Sequence, residues 1–112
     1  MIHPSKKLNR AALERVAETF SLFSEPTRLA ILQELKSGRQ CVGQLVEILG
    51  VSQAHVSRQL GILHAGGLLL RERQGAQVYY SIQDPLVEVL CGEVCNKLSR
   101  DAKERASVEF GV

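Results

Sequence analysis

The sequence predicts a mainly α fold of the α+β class, with about five helices and one two-stranded β-hairpin. Three observations carry that expectation. Apolar residues recur at three- and four-residue steps through most of the chain, with capping residues where the runs begin. Near the middle a glycine, Gly50, separates a short run of this kind from a longer one. After them, over "LLLRERQGAQVYYSIQD", the apolar period shortens toward two, the period of a strand.

The elements follow in order. Asn9 caps a first helix whose apolar positions are Leu13, Val16, Ala17, Phe20 and Phe23. "SEPTRLAILQELKSG" gives the second, with Ser24 as N-cap, Pro26 in the first turn and Ser37-Gly38 as the stop. Leu29, Leu32 and Leu35, with Ile31, form its buried side. "CVGQLVEILGVS" gives a third helix over Val42–Leu49, ended by Gly50 in a left-handed conformation. Ser52 caps a fourth that runs to about Ala65 and is closed by Gly66-Gly67. A short helix, a tight glycine turn and a longer helix make a helix-turn-helix. Strands at Leu69–Glu72 and Gln77–Ile82 flank Gln74-Gly75-Ala76, and a hairpin placed there is a wing. Asp84 caps a last helix opened by Pro85 and running to about Arg105, with the stripe Val87, Leu90, Val94 and Leu98. The tail "SVEFGV" receives no assignment.

Composition narrows the function classes. The 112 residues fit one domain, and 45% hydrophobic with 23% charged residues is ordinary for a globular chain. A net charge of +2 permits an anionic partner without demanding one. No apolar run approaches the roughly 18 residues of a membrane span, and "MIHPSKKLNR" has no apolar signal core. The expected compartment is the cytoplasm, with no membrane partner. Three cysteines, an odd number, argue for reduced thiols over a disulfide framework.

The fourth helix carries the functional argument. Val56, Leu60 and Leu63 must face the core. The opposite face then holds Gln53, Ala54, Ser57 and Arg58, flanked by His55 and Gln59. Short side chains let a helix backbone approach a DNA major groove, and amides or a guanidinium meet base edges. Arg58 suits guanine O6 and N7; Gln53 or Gln59 suits adenine N6 and N7; Ser52, Ser57 and the helix N-terminal amides suit phosphate oxygens. On the hairpin, Arg71, Arg73, Gln74 and Gln77 are placed for the DNA backbone or the minor groove. A solvated surface helix is the bland alternative, but the neighbouring glycine turn and basic hairpin argue against it. An RNA partner would call for stacking aromatics, and the recognition helix has none. An enzyme would need Cys41 as nucleophile and a histidine as base, and nothing in the sequence orients that pair. No catalytic residue is assigned.

"LFSEPTRLAILQEL", followed by "CVGQLVEILGVSQAHVSRQLGILHAGGLLLRERQGAQVYYSI", resembles the ArsR/SmtB family of bacterial winged-helix repressors. The resemblance covers Phe20 to Asp84 and implies a homodimer, a palindromic operator in double-stranded DNA and repression relieved by a metal ion or another signal. It divides a single winged helix-turn-helix domain over residues 1–112 into dimerisation helices at 1–23 and 84–105, the helix-turn-helix at 42–65 and the wing at 68–82. Of the family's sensor sites, the Cys-Val-Cys pattern is incomplete here as Cys41-Val42-Gly43. The last-helix site keeps Asp84 but has Leu86, Lys97 and Arg100 at or near its other positions.

In place of those sites the chain has "LCGEVCNKL". Cys91 and Cys95, four apart, share a helix face with Cβ atoms about 6 Å apart. As(III), Cd²⁺, Pb²⁺ or Zn²⁺ bound there needs a further ligand, either Cys41 or a thiol across the dimer. Oxidation or persulfidation is the other thiol chemistry, with Lys97 the nearest cation to favour a thiolate. Packing beside the apolar stripe is the third reading of the same cysteines. No cofactor is expected to be required for folding.

Overall fold

The computed structural model describes residues 7–110, with side chains through Ala106. Residues 1–6 of the expected first segment and the last two of "SVEFGV" lie outside that range. Five helices and three short strands follow in the order α1 (Arg10–Ser21), α2 (Pro26–Leu35), β1 (Gln40–Cys41), α3 (Val42–Leu49), α4 (Gln53–Ala65), β2 (Leu69–Gln74), β3 (Gln77–Ile82) and α5 (Leu86–Phe110). No helix among the described residues is long and apolar enough to cross a membrane.

Local chemistry explains most boundaries. The Asn9 side chain accepts the Ala12 amide at 2.9 Å, and Asp84 Oδ1 accepts the Leu86 amide at 2.8 Å. Gly50 ends α3 at φ 66°, a left-handed geometry that costs a side-chain-bearing residue strain. The cap of α2 is Glu25, where Ser24 was expected. Its two carboxylate oxygens accept the Thr27 and Arg28 amides at 3.0 Å each, a charge-assisted pairing that a serine hydroxyl does not match.

The sheet has order β1-β3-β2 and is antiparallel throughout. The hairpin closes on the two-residue turn Gly75-Ala76, with Gln74 opposite Gln77. The third strand is the unexpected element: Gln40 and Cys41 pair with Tyr80 and Tyr79, fastening the chain just before α3 to the wing.

The core lies between α2, α3, α4 and the base of the sheet. Ile31, Leu32, Leu35, Leu45, Val56, Leu60, Leu63, Leu68, Leu69, Tyr80 and Val87 form one buried cluster. Each fully buried aliphatic side chain there contributes about 1.5–3 kcal/mol of transfer free energy. Leu29, expected inside, is 40% exposed and faces a groove beside α5. Among the residues of α5 whose side chains are described, only Val87 is buried; Val94 and Leu98 are exposed, and α1 has no buried residue.

Candidate nucleic-acid interface

The faces of α4 divide cleanly. Val56, Leu60 and Leu63 have no exposure, fixing the helix against the core, while Gln53, Ala54, Ser57 and Arg58 stand in solvent. Ser52 accepts the His55 amide at 3.1 Å, so its hydroxyl oxygen caps the helix that presents those side chains.

His55 and Gln59, expected on the flanks of the DNA face, turn toward α2. Gln59 is only 5% exposed, and its Oε1 accepts Arg28 Nη1–H at 2.6 Å. That commits the Gln59 carbonyl oxygen to Arg28 and turns most of the side chain away from the exposed face that Gln53, Ser57 and Arg58 share. The half-buried His55 ring places Nε2 3.1 Å from Thr27 Oγ1. Glu25 sits in the same turn of α2. The Thr27 amide above all, then the Arg28 amide, the Thr27 hydroxyl and the nearby His55, hold its carboxyl below the ordinary glutamate range against an opposing desolvation.

On the wing, Arg71, Arg73 and Gln77 are exposed. Arg71 pairs across the strands with Tyr80, and Arg73 with Val78, so both arginines continue the sheet face that enters the core. Tyr80 packs inward, its ring meeting His64 edge-on at 6.5 Å between centroids. The other face carries an arrangement the sequence reading missed. The Arg39 guanidinium lies 4.2 Å from the centre of the Tyr79 ring, and Nη2–H donates to Gln74 Oε1 at 2.6 Å. Only the pairing of β1 with β3 brings Arg39 to the wing, and two residues leave no periodic trace.

The thiols fall in two places. Cys91 and Cys95 line a groove of about 680 Å³ between the end of α1, α2 and α5, with Phe20, Phe23, Leu29 and Leu90 among its walls. Cys91 is half-buried and Cys95 exposed. Cys41 is buried at the start of α3, where its amide donates to Gln44 Oε1 at 2.9 Å. Among the described residues no three His, Cys, Asp or Glu side chains gather where they could hold a metal ion. Lys97 is engaged by Asp101 at 2.6 Å along the helix.

A helix-turn-helix whose second helix turns short polar groups and an arginine outward, followed by a basic hairpin, defines a winged-helix DNA-binding regulator. Residues 25–69 match the family model described as bacterial regulatory protein, arsR family. The HTH-type transcriptional regulator NmtR of Mycobacterium tuberculosis is 38% identical over 90 residues, 80% of this chain and 75% of that protein. A homodimeric winged helix-turn-helix DNA-binding domain from Mycobacterium bovis superposes with a TM-score of 0.72 at 28% identity, over 85% of this chain and 90% of that one. The AntR antimony-specific transcriptional repressor gives 0.73 at 29% identity, over 93% and 97%. The chain belongs to the ArsR family of bacterial transcriptional regulators; its relatives regulate transcription and are not enzymes.

Proposed function

We propose that this chain is a homodimeric repressor that occupies a two-fold symmetric operator in double-stranded DNA and leaves it when an effector reaches Cys91 and Cys95. The observation that carries the DNA half is the outward face of α4. Gln53, Ser57 and Arg58 stand exposed on a helix whose opposite face is completely buried. Arg58 forks onto a guanine, Gln53 meets an adenine, and Ser52 and Ser57 meet phosphates, with Arg71, Arg73 and Gln77 on the flanking backbone. The dimer is supported by the uncovered apolar residues of α1 and α5, Leu13, Phe20, Val94 and Leu98, and by the homodimeric relative.

The effector reading rests on two thiols at the wall of a groove beside those same helices. A soft metal ion or a trivalent metalloid is the preferred class, supported by the antimony-specific relative, with the third donor coming from Cys41 or from a thiol across the dimer. The shortage of ligands among the described residues favours a second reading, in which oxidation or persulfidation of the thiols is the signal. Either effector must bind the DNA-free state better, by a coupling of about 1–3 kcal/mol.

The test selects an operator duplex from a randomised pool and titrates the complex with As(III), Sb(III), Cd²⁺, Zn²⁺, Pb²⁺ and polysulfide while mass spectrometry follows the thiols. Release should occur in the wild-type protein and disappear in Cys91→Ser and Cys95→Ser. Unchanged release from the serine variants sinks the effector half, and failure to select any duplex sinks the whole reading.

A further inference from the structure

The sequence "EPTR" does more in the fold than start a helix. Glu25 caps α2, and each of the next two polar residues reaches a different turn of α4: Thr27 lies against His55, and Arg28 binds Gln59. Arg28 also reaches backward. Its Nε–H donates to the Leu22 carbonyl at 2.9 Å, and Nη2–H donates to the Ser21 carbonyl at 2.8 Å. One planar guanidinium therefore joins the last residues of the α1 segment to the interior edge of the recognition helix. Farther along α4 the contact is repeated by shape. A Cβ added at Gly66 would lie 2.5 Å from Leu22 Cδ1, so the end of α4 is seated directly on the same leucine. Positions 55, 59 and 66 fall on one stripe of α4, at steps of four and seven.

We propose that Arg28 is a positioning residue that sets the roll of α4 from the end of α1. The proposal rests on the DNA-binding reading. Roll is the coordinate that decides whether Arg58 or its neighbour meets a base edge, since successive helical residues point about 100° apart. The aliphatic contacts of Val56, Leu60 and Leu63 are non-directional and tolerate a small rotation. A guanidinium with three directed hydrogen bonds does not. α1, which has no fully buried residue of its own, is thereby wired to the helix that reads DNA.

The experiment uses the full chain and an operator duplex selected by the wild-type protein, with affinity measured across a salt series. Arg28→Lys keeps the charge and loses the three-way fork; Gln59→Met keeps the length and loses the acceptor. Each should bind roughly tenfold more weakly, the scale of one lost charge-assisted hydrogen bond. The slope of log affinity against log salt should stay at the wild-type value. The double variant should be no weaker than the weaker single one, because both remove the same tie. Gln59→Glu keeps an acceptor for Arg28 and should retain wild-type affinity.

Wild-type affinity in Arg28→Lys and in Gln59→Met overturns the proposal. A slope reduced by about one makes Arg28 a phosphate contact and also overturns it. Losses that simply add in the double variant do the same. If Arg28→Lys fails to fold by circular dichroism, the comparison of Gln59→Met with Gln59→Glu decides alone. A wild-type protein that selects no duplex removes the DNA reading itself, an outcome distinct from all of these.

Discussion

The α2–α4 unit and the two terminal helices are built to opposite specifications. In the first, Ile31, Leu45, Val56, Leu60 and Leu63 have no exposure, and the buried Gln59 has its partner. In the second, α1 has no fully buried residue, while Phe20 and Leu98 stand 58% and 57% exposed. The difference separates a part of the chain that finishes its own core from a part whose apolar surface the chain leaves largely uncovered. Patches of that kind mark sites of association.

The harshest way to break this contrast is in the finished part. Leu60→Ala removes a fully buried side chain and should cost about 2–5 kcal/mol, read from the urea midpoint at constant slope. Leu13→Ala in α1 should cost the dilute monomer far less, and an equal loss would erase the distinction. Next in size comes the unfinished part. Phe20→Glu combined with Leu98→Glu should leave the circular dichroism spectrum intact and give a monomer by light scattering. Operator affinity should fall on the order of a hundredfold as two linked half-sites become one. A dimer that survives both charges moves the association surface elsewhere.

A smaller effect sharpens the division within α4. Arg58→Ala should weaken operator binding by about 1–3 kcal/mol and relax preference at one base pair, with folding stability unchanged. Unaltered affinity would take Arg58 out of the reading set. The smallest concerns Glu25, whose carboxyl is held below its ordinary range. Such a group stabilises the fold fully above the unfolded-state value and loses that contribution as pH falls through the lowered folded-state value. Glu25→Gln should lower stability at neutral pH, flatten the acid side of the profile, and leave stability below the lowered folded-state value nearly unchanged. An acid limb as steep as wild type would assign it to other carboxylates.

Much of this was written locally. Asn9, Gly50, Ser52 and Asp84 are end signals that act within a few residues of themselves, so α3, α4 and β3 fall where the sequence puts them. What escaped depends on contacts distant in the chain. Gln59 was placed by helical angle alone, and its inward turn is decided by Arg28, 31 residues earlier. Arg39 reaches the wing only through the β1–β3 pairing, and its partner Gln74 lies 35 residues away. Leu29 has the spacing of a core residue, yet it lies at the rim of the groove beside α5, where periodicity cannot say whether the same chain or another covers it. Choosing Glu25 over Ser24 as the cap turned on side-chain reach and charge, which a preference for small polar caps undervalues.

The two-residue strand β1 has a consequence for how such a regulator diversifies. Because Gln40 and Cys41 moor the middle of the hairpin, at Tyr79 and Tyr80, and Arg39 ties it as far out as Gln74, the Gly75-Ala76 turn projects beyond the last of these ties. Insertions at that tip would lengthen the arm without disturbing the footing, so descendants of this chain can acquire a longer projecting surface by changing residues that hold up nothing else.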